Sequence, residues 1–348
     1  MTIRAICLIT GRVKIVRNNL HGERFEKILL VRTTPRMGNS ILSTPAIFLF
    51  RRNFPHARID FVGPSVTKVL FKNLPINHYF NITHRFPNSL WDNLALLNKI
   101  RSVGYDLAVD VSCSQSAMGS FIVGFSGARL RVGAQGKWDH WFNVTIPRPA
   151  ETNKYRVLPA FLSAMGIETQ PIFPLLLLSP SEKENGRRRI ETLVAGSGVP
   201  VVGVFVGGRK AKAKRWSLAN LLQLITALRA QEIKVIVFFG PGEKRLMRFF
   251  SQLLGKDIPF VFELSIIAFA SMVSNCSLFI ACDSGPMHLA CAVGVRTIAI
   301  FQNSDFKRWG PPADLAQIAY EPGGISAEKV FKISLGELYC NSQSSDNS

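Results

Sequence analysis

The stretch Leu278-Phe-Ile-Ala-Cys-Asp-Ser-Gly-Pro-Met-His-Leu-Ala-Cys-Ala-Val-Gly294 decides how this chain is expected to fold. Its apolar beginning, Leu278 to Ala281, predicts a buried strand, and a tight turn follows over Asp283-Ser-Gly285. Pro286 then suits the first turn of a helix, where its missing N–H is not needed. A helix that starts directly after a strand can bind an anion, because its N-terminus presents unpaired N–H groups and partial positive charge. Taken alone, the motif also fits an ordinary turn whose polar side chains only cap the helix.

Strands and helices alternate on both sides of this stretch. Before it, Val201 to Phe205 predicts a strand that ends in the glycine turn Gly207-Gly208, and Lys234 to Phe239 predicts another strand. After it, Arg296 to Phe301 predicts a further strand. The N-terminal half has its own series, with strands predicted at residues 27–32, 58–62, 105–111 and 129–133. Such alternation is typical of a parallel, doubly wound sheet, so two series predict two Rossmann-like domains of an α/β protein.

We divide the chain accordingly. The predicted segments are a basic N-terminal extension over residues 1–26, a first domain over 27–170, a second domain over 171–320, a helical segment over 321–340 and a polar, disordered tail over 341–348. The start of the chain has too short an apolar run, interrupted at Arg12, to predict a secretory signal.

Positive charge dominates the 348 residues, with 42 Lys and Arg against 23 Asp and Glu and a formal net charge of +19. Such an excess favours a polyanionic partner: nucleic acid, an anionic membrane surface or a phosphorylated glycolipid. Nucleic acid is disfavoured because no RNA-binding sheet signature, zinc finger or basic zipper accompanies the charge. The six cysteines form no C-x-x-C pair, which indicates reduced thiols in a cytoplasmic protein. No run approaches the roughly 20 apolar residues of a membrane span, so we expect a soluble protein or one peripheral on the inner membrane.

Three separated segments together resemble glycosyltransferase family 9, the heptosyltransferases of bacterial lipopolysaccharide synthesis. The first, Ile28-Leu-Leu-Val-Arg-Thr-Thr-Pro-Arg-Met-Gly38, looks like the family's opening strand and acceptor-side glycine loop. The second, Lys214-Arg-Trp216, is similar to its phosphate-contacting lysine motif. The third joins Asp283-Ser-Gly-Pro-Met-His288 to Trp309-Gly-Pro-Pro312 and matches the family's donor-site signature. The resemblance covers about residues 27–335.

The resemblance implies a GT-B fold, in which two Rossmann-like domains face each other across a cleft. The domain over 27–170 would bind the acceptor, and the domain over 171–320 would bind the nucleotide sugar. It further implies inverting transfer of a heptose-type sugar, without a metal or other cofactor, from a nucleotide-diphosphate donor such as ADP-heptose. The acceptor would be of the lipid A–core type, at the anionic inner-membrane surface, and we expect the protein to be a monomer.

The family's donor-site roles carry over residue by residue to positions that match its motifs. By resemblance, Lys214 contacts the diphosphate, Asp283 the donor sugar, His288 the region of the phosphates and Leu264 the nucleoside. The backbone of the helix start contacts the diphosphate as well, and this set comprises Ser284, Gly285, Pro286 and Met287. A lysine beside a helix N-terminus would neutralise the departing diphosphate as its charge grows.

One position departs from the family pattern. The glycine of the first loop is usually followed by an aspartate, the proposed general base, but this chain has Asn39, whose amide takes up no proton at neutral pH. Three explanations stay open. Another base acts, with Asp110, Asp139 or His140 as candidates; or Asn39 orients the acceptor hydroxyl while a donor phosphate oxygen takes the proton; or the protein is a non-catalytic relative that binds nucleotide sugar or glycolipid.

Two other enzyme classes share parts of this architecture. A nucleotide-sugar 2-epimerase needs several carboxylates around one sugar, and no such set is evident in the sequence. A dinucleotide oxidoreductase needs G-x-G-x-x-G after its first strand, whereas the loop from Thr33 to Asn39 has a single glycine.

Overall fold

The computed structural model describes residues 20, 22–83, 89–196, 200–207, 216–255, 257–303 and 305–345. Most of the predicted extension over 1–26 therefore lies outside the described residues, as do Gly208 and Lys214. The chain divides into two compact units, Met1–Pro174 and Leu175–Ser348. Within the described residues, no helix has both the length and the apolar character needed to cross a membrane.

The first unit is built on a parallel sheet with the strand order β3-β2-β1-β4-β5-β6. Its described strands are Lys27–Val31 (β1), Arg58–Pro64 (β2), His78–Ile82 (β3), Leu107–Asp110 (β4), Leu130–Ala134 (β5) and Val144–Ile146 (β6). Its described helices are Met37–Ile41 (α1), Thr44–Asn53 (α2), Ser65–Leu70 (α3), Ser89–Val103 (α4), Ala117–Phe125 (α5) and Val157–Ala164 (α6).

The central strands of this sheet are apolar along their whole length because helices cover both faces. Leu29, Leu30 and Val31 of β1 are fully buried, as are Ala108 and Val109 of β4. The two strands pair in parallel, with Val31 opposite Asp110. Their carboxyl ends therefore lie side by side in the middle of the sheet.

The second unit repeats this plan with the strand order β12-β11-β10-β7-β8-β9. Its described strands are Val201–Phe205 (β7), Lys234–Phe239 (β8), Phe260–Phe262 (β9), Leu278–Cys282 (β10), Thr297–Ile300 (β11) and Ala316–Ala319 (β12). Its described helices are Pro180–Val194 (α7), Leu218–Ala230 (α8), Lys244–Leu254 (α9), Ile266–Val273 (α10), Gly285–Ala292 (α11), Phe306–Trp309 (α12) and Ala327–Ser345 (α13).

A helix with a defined start opens the second unit. Ser179 and Glu182 form a capping box at the beginning of α7, each side chain accepting a hydrogen bond from the other residue's backbone N–H. Further along α7, Gly186 lies against α10 so closely that a Cβ atom there would be 2.0 Å from the carbonyl oxygen of Ser271. The contact between these helices thus depends on the missing side chain.

The two α/β series predicted from the sequence are confirmed as two parallel sheets covered by helices. The structure differs at the chain's end, where α13 runs to Ser345 and so enters the segment 341–348 predicted as a disordered tail. Nothing between Asn341 and Ser345 is a glycine or a proline, so no helix-breaking residue stops α13 at residue 340.

Candidate active site

The candidate sites lie at the topological switch point of each sheet. In both strand orders, two neighbouring central strands, β1 and β4 or β7 and β10, lead the chain outwards in opposite directions. Ligands of open parallel sheets bind in the crevice outside the carboxyl ends of such strands. Ala281 of β10 pairs with Phe205 of β7, so the turn at Asp283 and the loop at Gly207 both begin at this edge.

The donor-side turn has the strand–turn–helix arrangement predicted from the sequence. Helix α11 begins at Gly285, directly beyond β10, with Ser284 as its N-cap in an extended conformation and a proline in the first turn. Ser284 makes no capping hydrogen bond, and its Oγ is buried with no hydrogen-bond partner among the described residues. A serine at this position ordinarily satisfies one helical N–H. The hydroxyl of Ser284 can therefore bind a ligand, and so can the first N–H groups of α11, which have no partner within the helix.

His288, on the first turn of α11, is only 4% exposed. Burial lowers the pKa of its imidazole to about 4, and the nearby charge of Asp283 opposes this with a smaller effect. The ring of Trp309, from the Trp-Gly-Pro-Pro motif, lies with its centroid 6.4 Å from that of His288. His288 is therefore neutral at physiological pH. Its imidazole can donate a hydrogen bond to a phosphate oxygen without adding positive charge to the site.

Two polar residues at this edge were not predicted as site residues. Gln302 follows β11, the neighbour of β10, and its Nε2 is buried without a described hydrogen-bond partner. Glu243 is 8% exposed, and its carboxyl group lies close to two glycines: a Cβ on Gly207 would be 2.8 Å from its Cδ, and one on Gly240 would be 2.9 Å from its Oε2. Gln302 lies between the two parts of the third family motif, Asp283 to His288 and Trp309 to Pro312, and Glu243 ends the Gly240-Pro-Gly-Glu243 turn. Both could have been found by asking which polar residues follow each predicted strand.

The remaining donor-side predictions fall in different surroundings. Leu264 is 66% exposed just beyond β9, so its side chain is accessible to a ligand. Lys214 is not among the described residues, but Trp216 of the same motif is. Its ring is buried and donates through Nε1 to the carbonyl oxygen of Ile325 at 2.8 Å. Trp216 therefore belongs to the core of the second unit.

On the acceptor side, Asp110 ends β4 with its carboxylate buried. Its Oδ1 accepts a hydrogen bond from the backbone N–H of Ser112 at 3.0 Å, whereas its Oδ2 has no described hydrogen-bond partner. A Cβ on Gly119, in the first turn of α5, would lie 3.1 Å from that Oδ2. Burial raises the pKa of Asp110, and the hydrogen bonds from Ser112 and the charge of Arg32 oppose the rise.

Arg32 follows β1 and is the positive partner at this switch point. Its Nη1 donates to the carbonyl oxygen of Val111 at 3.3 Å, while its Nε is buried with no described hydrogen-bond partner. Burial lowers the pKa of its guanidinium, and the negative charge of Asp110 acts in the opposite sense. At the ends of adjacent strands, a buried carboxylate oxygen and a buried guanidinium nitrogen thus both lack a hydrogen-bond partner among the described residues.

The loop between β4 and α5 holds backbone strain beside these groups. Cys113 and Gln115 have φ angles of 57° and 49°, a left-handed conformation that side chains other than glycine seldom adopt. Gln115 fixes the loop to its neighbour by donating from Nε2 to Oδ1 of Asp139 at 2.8 Å and accepting at Oε1 from the N–H of Trp138 at 2.9 Å. Strained backbone of this kind clusters at ligand sites.

The other candidates for proton transfer have less suitable surroundings. Asn39 is half-buried in α1. The loop that leads to it from β1 is linked to α5 by a 2.9 Å hydrogen bond between the hydroxyls of Thr33 and Ser116. Asp139 uses its Oδ1 to brace loops, accepting also from the N–H of Gly136 at 2.6 Å. His140 lies against Trp141, with ring centroids 4.9 Å apart.

Comparison with known proteins decides the family. The sequence profile of glycosyltransferase family 9 (heptosyltransferase) matches residues 93–333. This chain belongs to glycosyltransferase family 9. It is therefore a glycosyltransferase, and the family predicted from the three sequence motifs is confirmed.

Individual members of the family agree with this assignment. The chain is 24% identical over 292 residues to lipopolysaccharide heptosyltransferase 3 of Escherichia coli, which covers 79% of this chain and 83% of that protein. A family 9 glycosyltransferase from Veillonella parvula has a similar structure, with a TM-score of 0.81 at 16% identity over 92% of this chain and 99% of that one. The ADP-heptose lps heptosyltransferase II of E. coli gives a TM-score of 0.74 at 18% identity, covering 91% and 99%. The fold is thus GT-B, as predicted.

Proposed function

We propose that this family 9 member transfers a heptose-type sugar from ADP-heptose to a lipopolysaccharide core acceptor, with inversion at the transferred carbon and without a metal cofactor. The observation that carries the proposal is the start of α11 at the β7–β10 switch point, where a buried serine hydroxyl with no described hydrogen-bond partner stands beside the first N–H groups of the helix. The names of the similar E. coli proteins support the sugar, the nucleotide and the acceptor class.

In the proposed donor complex, the diphosphate lies against the helix start from Ser284 to Met287, and Lys214 supplies a positive charge. Asp283 binds hydroxyls of the donor sugar, and Leu264 covers the nucleoside. His288 contributes hydrogen bonds without charge, because burial keeps it neutral. As the bond to the sugar breaks, negative charge grows on the departing ADP, and preorganised N–H groups stabilise that charge more than they stabilise the bound donor.

The acceptor hydroxyl must lose a proton as it attacks, and Asn39 cannot take it. We assign this proton to Asp110, whose Oδ2 has no described hydrogen-bond partner at the β1–β4 switch point and whose pKa is raised by burial, which makes its carboxylate a stronger base than that of an ordinary aspartate. Asn39 orients the hydroxyl, and Arg32 limits the cost of the buried carboxylate charge. An acceptor hydroxyl can reach Oδ2 of Asp110 only if the strained loop from Ser112 to Ser116 moves.

The protein would act in the cytoplasm, peripherally on the inner membrane, where the phosphates and acidic sugars of the acceptor attract a chain of net charge +19.

A transfer assay tests the proposal. The parent protein is incubated with deacylated core acceptor and a panel of nucleotide sugars, and the product is identified by mass spectrometry with its anomeric configuration determined by NMR. We expect transfer from ADP-heptose with inversion, resistant to EDTA. Transfer from a different nucleotide sugar would correct the donor, and tight ADP-heptose binding without turnover on any core acceptor would contradict the proposed reaction.

A further inference from the structure

Helix α9, Lys244–Leu254, presents an exposed apolar surface that the proposed transfer does not use. Phe249 and Leu253 are 41% and 55% exposed. They are four residues apart, which makes them neighbours on one face of the helix. Large apolar side chains that are exposed side by side, rather than scattered singly, are candidates for a contact surface.

The opposite face of α9 packs against the core and so fixes the rotation of the helix about its own axis. Phe250 is fully buried, and its ring centroid lies 5.9 Å from that of Phe239 in β8. Leu246, Met247 and Leu254 pack against the same core. Since this face is held by the sheet, rotation of the helix that would bury Phe249 and Leu253 would expose Phe250.

Positive charge accompanies the exposed apolar pair. Lys244, Arg245 and Arg248 are exposed, the helix contains no acidic residue, and none of these three cations forms an ion pair with a described residue. Helix α7 of the same unit differs. There Arg187 and Arg188 pair with Glu184 within the helix, with N–O distances of 2.8 and 2.7 Å. The described residues therefore form no ion pair that compensates the positive charge of α9.

We propose that α9 binds the surface of an anionic lipid bilayer, with Phe249 and Leu253 inserted at the headgroup boundary and the three cations against lipid phosphates. An amphipathic helix with a basic polar face and exposed Phe and Leu is the kind that lies in the plane of a membrane interface. A second copy of this chain is a poorer occupant, because its own α9 would bring the same cations to a contact between two molecules of net charge +19. The inference rests on the proposed peripheral location and names the surface responsible for it.

Vesicle sedimentation with the full-length protein tests this surface. Vesicles of phosphatidylethanolamine and phosphatidylglycerol are compared with vesicles of phosphatidylcholine alone, at low and high salt. The first variant is Phe249→Ser with Leu253→Ser, and its matched control replaces the exposed pair Leu175→Ser and Leu177→Ser of the same unit. The second variant is Arg245→Glu with Arg248→Glu, and its control makes the same charge change at the exposed Lys68 and Lys99 of the first unit.

We expect the parent to bind the anionic vesicles in a salt-sensitive manner, both α9 variants to bind at least tenfold more weakly, and both controls to bind within twofold of the parent. Unchanged ADP binding by the α9 variants, measured by calorimetry, shows that they are folded.

Equal vesicle binding by parent and α9 variants overturns the proposal, as does a parent that binds no vesicle. A dimeric parent that the Phe249→Ser, Leu253→Ser variant converts to a monomer, with vesicle binding unchanged, would assign the surface to a second copy instead. Transfer to a soluble, deacylated acceptor is measured in parallel, so that failure of the reaction and failure of the membrane surface are seen separately.

Discussion

The buried carboxylate of Asp110 is expected to lower the stability of the folded protein and to be required for the transfer reaction. Its folded-state pKa is raised, so ionisation costs free energy in the folded protein, and stability falls as the pH rises through that pKa. Asp110→Asn keeps an acceptor for the N–H of Ser112 but carries no charge. We therefore expect this variant to have a higher Tm than the parent at pH 7 while its kcat falls about 10²- to 10⁴-fold, the usual contribution of a general base.

Asp106→Asn is the matched control for Asp110. The Oδ2 of Asp106 accepts hydrogen bonds from the N–H groups of Glu26 and Lys27, each at 2.9 Å, so it stabilises a strand start away from the carboxyl edge. Replacing this carboxylate by an amide should lower the Tm of the protein and leave its kcat unchanged. A parent-like kcat for Asp110→Asn would remove Asp110 from the reaction. An Asn39→Asp variant much faster than the parent would then indicate that the family's usual base position has lapsed here.

His288 provides a second residue-scale prediction, based on its pKa of about 4. The folded value lies below the usual 6.5, so the stability from the neutral ring is fully present above pH 6.5 and is lost as the pH falls from 6.5 towards 4. Over that range the loss is on the order of 3 kcal/mol, at about 1.4 kcal/mol per pH unit. Urea unfolding at pH 7 and pH 4.5 should show a smaller pH dependence for His288→Gln than for the parent. The exposed His56, changed to Gln, should leave the dependence as in the parent; if His288→Gln does the same, the imidazole is not buried in a neutral state.

At the scale of elements, Gly186 tests how closely α7 and α10 pack. A Cβ at this position would lie 2.0 Å from a backbone oxygen of α10, which cannot move without the helix. Gly186→Ala should therefore destabilise the protein by about 1 to 3 kcal/mol, the usual cost of overpacking, despite the better helix propensity of alanine. Gly336 in α13 has open space around its Cβ position, so Gly336→Ala should be neutral or stabilising by up to about 1 kcal/mol. Chemical denaturation of both variants distinguishes the two cases, and equal stability would mean that α7 shifts at no cost.

The inner strands could be predicted from the sequence, and the outer ones could not. The bounds of β7 and β8 agree with the predicted runs at 201–205 and 234–239, because strands buried on both faces are continuously apolar. The four strands without a sequence prediction, β3, β6, β9 and β12, form the edges of the two described sheets. They have three to five residues each, and most are partly exposed, so their composition differs little from that of a loop.

In the candidate site as well, features formed by consecutive residues could be predicted, and features formed by residues distant in sequence could not. The turn from Asp283 to His288 could be predicted because strand end, turn and helix start are consecutive in the sequence. The surroundings of Asp110 could not, because Arg32, Ser112 and Gly119 come from three segments that meet only in the folded sheet. The charge state of His288 was also beyond sequence reasoning, since it depends on burial by residues as distant as Trp309.

At the scale of the whole molecule, each of the two units has its own hydrophobic core. Donor binding should therefore be possible in the second unit alone, whereas transfer should need both units. The described donor-side residues all belong to Leu175–Ser348, whose sheet is covered by helices of the same unit. We expect a fragment of residues 175–348 to unfold cooperatively and to bind ADP with an affinity within about tenfold of the full chain, because β10, β11, α10 and Trp309, which contact α11, all belong to this unit. The same fragment should catalyse no transfer, since Asn39 and Asp110 are in the other unit. Calorimetry with ADP, and with GDP to test base selectivity, measures the first expectation. A fragment that folds but binds no ADP would mean that the donor site is completed by the first unit.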